Sequence, residues 1–190
     1  MPGHEPTLQA IEGLQFFLEE RLNKNTLSIS VSEIPSGEKS TYTLSNITSL
    51  EEEHRDNFTD ANSTTLYAYC IILDGEYITD NVLGIAYYNT STALFGTNIA
   101  ANSGTPPVLP SREKVEETIL SHEFGHLLGL VGSGSPVQSD HKTDNGSHCT
   151  TENCLMDPTI ENGGFFENFS GEVPKLDPLC IEDLQANGGR

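Results

Sequence analysis

The chain has 190 residues, enough for one domain with a working core, and carries a net charge of −19 with an isoelectric point of about 4.4. That charge repels nucleic acid and anionic membranes, and no apolar run approaches the roughly 18 residues a membrane span requires. Hydrophobic residues make up only 35%, but they fall in periodic segments, which excludes a disordered chain.

The opening MPGHEPT lacks the basic-then-apolar pattern of a signal peptide, so any signal or pro-segment is expected outside this sequence. Residues 7–22 read as a helix: Leu8, Ile11, Leu14, Leu18 and Leu22 recur at three or four residues, with Glu12, Glu19 and Glu20 off that stripe. Residues 27–32 alternate as a strand with Leu27, Ile29 and Val31 on one face. After a break at Pro35-Ser36-Gly37 comes a short strand near Tyr42 and Leu44, then a polar helical turn over 48–57. The run 65–73, TLYAYCIIL, predicts a central strand buried on both faces. Val82–Tyr88 and Thr92–Phe95 predict two more strands, followed by a Gly/Pro/Asn-rich loop from Gly96 to Pro110.

A second long helix starts at the Pro110-Ser111 cap signal, with Glu113, Glu116 and Glu117 suited to its positive end, and runs to about Leu128 before Gly129. Beyond it the chain is rich in Gly, Ser, Asn and Asp until a last helical segment over 177–186, with Leu179, Ile181 and Leu184. The four cysteines, Cys70, Cys149, Cys154 and Cys180, are compatible with two disulfides in an oxidising compartment. Asn-x-Ser/Thr sequons at Asn46, Asn57, Asn62, Asn89, Asn145 and Asn168 mark polar surface and are glycan acceptors in a secreted eukaryotic chain.

The chemistry concentrates at His122-Glu123-Phe124-Gly125-His126. On a helix, positions i and i+4 share a face, so two imidazoles can reach one zinc ion while Glu123 sits beside it. The helix is apolar most of the way round, with Leu120, Phe124, Leu127 and Leu128 on one face and Val115 and Ile119 flanking the histidines on the other. It is therefore expected to be buried, and histidines buried there need partners. Gly129 follows His126 by three residues, where a left-handed residue ends a helix and turns the chain to bring a third ligand from a loop.

From His122 onward the chain resembles metzincin metallopeptidases, whose helix reads HExxHxxGxxH. In matrixin-like members the third histidine precedes the methionine of a Leu-Met-x-Pro turn by eight residues. His148 precedes Met156 by the same number, within Leu155-Met156-Asp157-Pro158. His148, Cys149, Cys154 and Met156 also reproduce the His-Cys-x4-Cys-x-Met run of archaemetzincins. Val82–Tyr87 looks like the substrate-binding edge strand of this clan. The likeness is specific over 122–158 and elsewhere extends only to element order.

The resemblance implies an α/β (α+β) zincin fold in one catalytic domain, 1–190. A twisted mixed sheet with a backing helix and the active-site helix would form an upper part to about residue 130, above a loop-rich lower part, 131–190. It implies one catalytic zinc held by His122, His126 and His148, with Gly129 and Met156 shaping the site. Three residues after Gly129 stands Gly132 where the pattern has its third histidine, and the insertion Val131–Ser147 contains His141, the alternative third ligand. The archaemetzincin Cys-x-x-Cys pair for a second zinc is absent, so a second metal site is not carried over. Cys149 and Cys154 read more simply as a local disulfide, with Cys70 and Cys180 free or paired. Asp157 follows the methionine, so no tyrosine ligand is assigned there.

The implied function is a secreted zinc endopeptidase, a monomer acting on extended peptide substrates, with a zinc-activated water and Glu123 as general base. The loop from Pro158 to Pro174, with Phe165, Phe166 and Phe169, either walls the substrate pocket or belongs to the core. Calcium could offset some of the acidic charge, but no calcium-loop spacing is present. Two rivals remain: a gluzincin-type peptidase with Glu161 or Glu167 as third ligand, and a non-catalytic zinc-binding or adhesion module on the same fold. An intact Glu123 weighs against the second, because a binding module needs no base.

Overall fold

The computed structural model describes residues 1–144, 146–169 and 171–190; the Asn145 sequon and the serine of the Asn168 sequon fall outside them. In chain order the elements are α1 (Leu8–Arg21), β1 (Thr41–Tyr42), α2 (Leu44–His54), β2 (Tyr69–Leu73), β3 (Glu76–Tyr77), β4 (Gly84–Tyr87), β5 (Ser91–Phe95), α3 (Gly96–Ala101), α4 (Arg112–Leu127) and α5 (Pro178–Ala186). Short 3-10 turns cover Leu130–Gly132 and Gly164–Asn168. The architecture is mixed α and β, and among the described residues no helix is long and apolar enough to cross a membrane.

The main sheet has the order β2-β5-β4, with β2 parallel and β4 antiparallel to β5. β1 and β3 form a separate parallel pair. Side chains alternate across the main sheet because successive strand residues point to opposite faces. Leu94 and Ile72 face a core built from Ala10, Leu14 and Leu18 of α1 and Val115, Ile119 and Phe124 of α4. Ile71, Leu73, Ala93 and Phe95 face the other way, onto Tyr42 and Ile47. A third core lies beneath the end of α4, where Leu130 and Val131 meet Leu155, Met156, Leu176 and Leu184.

Local chemistry sets the helix boundaries. Thr7 caps α1 by accepting from the Ala10 N–H at 3.3 Å, and Asp177 caps α5 by accepting from the Cys180 N–H at 2.8 Å, ahead of Pro178 in the first turn. Thr43 and Asn46 close a reciprocal capping box on α2, which occupies the amide of the Asn46 sequon. Ser111 stands at the cap position of α4, but its hydroxyl makes no capping bond. The buried Glu116 carboxylate joins the two long helices by accepting from Arg112 at 2.7 Å and from the Thr7 N–H at 2.8 Å.

Several sequence expectations change: the short strand expected near Tyr42 and Leu44 stops at Tyr42, and Leu44 opens α2, ahead of the helical turn expected over 48–57. Residues 27–32 form no strand: Leu27 and Ile29 pack on the core as single side chains, and Val31 is exposed. β2 flanks the sheet and β5 is central, since apolar residues on both strand faces report two covered faces and not position in the sheet order. The buried stripe of α1 is Ala10, Leu14 and Leu18, and Leu8, two residues before Ala10 and so on the opposite side of the helix, lies exposed. The loop expected from Gly96 begins instead with α3.

Candidate metal centre

The centre of the molecule is the buried second half of α4, where every residue from Ser121 to His126 is removed from solvent. His122 and His126, one turn apart, bring their Nε2 atoms to 3.2 Å. The His148 ring stacks on His122 with centroids 5.3 Å apart and stands edge-on to His126 at 5.0 Å. Glu161 closes the group: its Oε1 lies 3.2 Å from His148 Nε2, 3.7 Å from His126 Nε2 and 4.0 Å from His122 Nε2. A tetrahedral ion bound at about 2.0–2.1 Å separates its ligand atoms by about 3.3 Å, so these four residues could hold one metal ion.

Backbone and hydroxyl partners aim the rings. The Nδ1–H of His122 donates to the Leu155 carbonyl at 2.7 Å, which leaves its Nε2 lone pair toward the centre. The Nδ1 of His126 is hydrogen-bonded to Ser133 Oγ at 3.0 Å. Cys149 N–H donates to the Met156 carbonyl at 2.7 Å, tying the residue after His148 to the methionine turn. Met156 is fully buried beneath α4, and its Sδ lies so near Gly125 that a Cβ there would approach to 2.4 Å. Glycine at 125 is therefore a condition for the methionine turn to sit under the helix.

Gly129 adopts φ 82° and the left-handed conformation expected of it, and the chain turns at once into the 3-10 segment that carries Ser133 back to His126. His141, the alternative third ligand, lies elsewhere: its Nε2–H donates to Asp183 Oδ2 at 2.9 Å, and its Nδ1 faces Cys149 Sγ at 3.4 Å. Gln138 N–H donates to the other Asp183 oxygen at 2.6 Å, so the described part of the insertion is anchored on α5.

Burial sets the protonation states. It holds the His122 imidazole down at about 4 and, with the neighbouring histidines, keeps His126 well below its ordinary value. Both are neutral near pH 7, the form that binds a metal. Burial pushes the Glu123 carboxyl well up, and the Glu161 charge adds to the effect. Among the described residues neither Glu123 oxygen has a hydrogen-bond partner, and the carboxylate rests against Gly84 at the start of β4.

A cleft of about 380 Å³ opens over the centre, lined by Ile85–Tyr88 of β4 and the following turn and by His126, His148 and Glu161. Among the described residues β4 pairs only with β5, so it stands at the edge of the sheet. The Leu83 N–H donates to the Glu161 carbonyl at 2.7 Å, which fixes Glu161 beside that edge. The three phenylalanines do not line the cleft: Phe166 is buried in the main core with Phe165 and Phe169 packed against it. All four cysteines carry free thiols, so the local Cys149–Cys154 disulfide is not formed; the Cys154 sulphur faces Cys180 at 3.7 Å instead.

Ser133 and the Leu155 carbonyl carry no signal in the sequence, and Glu161 was weighed there only as a replacement for a third histidine. Its position five residues after Met156, in the turn that passes under α4, is the one hint the chain offers. No protein-family model matches the chain, and no curated protein or solved structure gives a match.

Proposed function

We propose that the chain is a zinc-dependent endopeptidase of metzincin type, with His122, His126 and His148 as metal ligands and Glu123 as general base. The observation that carries this reading is a buried carboxyl with no hydrogen-bond partner among the described residues, that of Glu123, the residue next to His122, on the helix whose two histidines converge with His148. A structural site has no use for such a group, and leaving it buried and unpaired costs about 1–3 kcal/mol or more.

A zinc ion held there supplies Lewis acidity, lowering the pKa of water to about 7 and polarising a carbonyl. The protein does the rest. The free edge of β4 pairs with an extended peptide and lays its scissile bond across the cleft. Glu123, raised by burial, takes the proton from the attacking water and delivers it to the leaving amine. The Leu155 carbonyl and Ser133 hold the imidazoles in the ligand tautomer and orientation.

One observation favours a second reading. Glu161 makes the donor set four, and closed four-donor sites are the mark of structural metal centres. The gluzincin alternative with Glu161 as third ligand loses support, because His148 already fills that place. In the peptidase, Glu161 yields its position to substrate; in a non-catalytic zinc module it stays. Glu123→Gln separates the two. The peptidase reading requires casein or peptide cleavage that is lost with a chelator and falls by about 10²–10⁴-fold in the variant, with metal content unchanged. Absence of metal-dependent cleavage in the wild-type chain overturns it.

A further inference from the structure

A second cluster of metal-binding groups lies outside this centre. His141, Cys149, Asp177 and Cys180 bring one ligand atom each within 4.8 Å of all the others, and all four residues are buried. Cys154 adds a third sulphur, with its Sγ 3.7 Å from that of Cys180. The segments involved are far apart in sequence: the 131–147 insertion, the methionine turn and the first turn of α5.

The distances have a definite chemical meaning. Two thiolates on one tetrahedral zinc, each at about 2.3 Å, lie about 3.8 Å apart, and a thiolate and an imidazole nitrogen about 3.6 Å apart. Cys154 and Cys180 stand at 3.7 Å, and His141 Nδ1 lies 3.4 Å from Cys149 Sγ and 3.9 Å from Cys180 Sγ. A disulfide between Cys154 and Cys180 would require their sulphurs to close to about 2.05 Å, far inside the observed separation.

The surroundings point the same way. Asp183 accepts the His141 Nε2–H, which fixes the tautomer so that the Nδ1 lone pair faces the sulphurs, as a carboxylate behind a metal-bound histidine does. Backbone N–H groups are directed at sulphur: Thr151 toward Cys149, and Met156 and Asp177 toward Cys154, each at 3.4 Å. Such donors stabilise thiolate charge in a site closed to water. Asp177 is already engaged as the cap of α5 through Oδ1, with Oδ2 3.6 Å from Cys149 Sγ, so it borders the donor set.

We infer that Cys149, Cys154, Cys180 and Nδ1 of His141 form a second, structural site for a thiophilic divalent metal such as zinc. It differs from what a Cys-x-x-Cys pair would build, because its histidine comes from the insertion. All four donors are buried, and Cys154 would reach the ion from beside Cys180 in place of Asp177; four protein donors leave no position for water, so its work is to hold shape. It clamps the insertion and α5 to the methionine turn that lies under His122. A sulphur-rich knot gives a loop-rich region with a small core the cohesion that its apolar area does not supply. The inference stands whether or not the His122 centre is catalytic.

Cobalt titration of the reduced, metal-free full chain tests it, because only a thiolate site gives sulphur-to-cobalt charge-transfer absorption in the near ultraviolet. The band should appear in the wild-type chain, grow to completion with one cobalt per chain in His122→Ala, which lacks the imidazole centre, and vanish in Cys180→Ser and His141→Ala. Asp183→Asn should keep the band but weaken binding by about 10–100-fold. A wild-type chain with no such band, or a band that depends on His122, overturns the site. So does unreduced native protein whose mass is short by two hydrogens, with Cys154 bridged to Cys180. Loss of peptidase activity with the band intact would count against the proposed function alone.

Discussion

Gly84→Ala probes the general base without touching a metal donor. A Cβ at this position would lie 2.7 Å from Glu123 Oε1, 2.9 Å from Glu123 Cγ and 2.8 Å from Ile119 Cγ2. Carbon atoms in contact keep about 3.5–4.0 Å, so something must move by about 1 Å. Ile119 is fully buried in the main core, whereas the Glu123 carboxylate has no hydrogen bond to hold it, so Glu123 yields. Overpacking costs about 1–3 kcal/mol, against which alanine gains about 0.5–1 kcal/mol over glycine within a strand. The variant should therefore fold with a net loss of no more than about 2.5 kcal/mol. A base displaced by about 1 Å should cost turnover about 100-fold. Peptide cleavage measured beside metal content and a urea melt gives all three quantities. Wild-type turnover in the folded variant would refute the placement of Glu123 as base. Loss of metal together with turnover would show that the effect runs through His122.

His148→Ala should remove the metal of the imidazole centre and all cleavage while leaving the cobalt–thiolate band; retention of both metal and cleavage would mean that His148 is not the third ligand. Glu161→Gln should weaken metal binding at that centre by about 10–100-fold and raise turnover at saturating zinc, whereas lower turnover at full metal occupancy would show that Glu161 serves the reaction. In metal-free protein, acid should destabilise the fold. Below 6.5 the unfolded chain protonates His122, which the folded chain resists down to about 4, so stability falls across that window by about 3 kcal/mol from this residue alone. The raised carboxyl of Glu123 acts oppositely, its contribution being lost as pH rises above 4.5. Glu123→Gln should therefore steepen the acid loss, and urea midpoints in EDTA at about pH 7 and about pH 5 that match in both proteins would refute the assignment.

The sequence by itself determined the features that depend on local spacing. A helix places residues four apart on one face whatever surrounds it, so His122 and His126 were legible as a pair that could share a metal, and Gly129 as the left-handed end of their helix. The spacing of eight from His148 to Met156 favoured His148 over His141, and it is the His148 ring that lies against His122 and His126. The edge strand at 84–87 was legible as a strand, but its free edge follows from the order of pairing. Only the tertiary structure decided the rest. Whether TLYAYCIIL lies at the centre or flank of a sheet depends on which strands pair with it, and apolar content is blind to that choice. The partners of Cys149 and Cys154 depend on where α5 docks, since Asp177 and Cys180 reach them across more than twenty residues. Glu161 and Ser133 enter the metal centre through folds of loop backbone, and loops carry no periodicity from which a side chain's direction can be read.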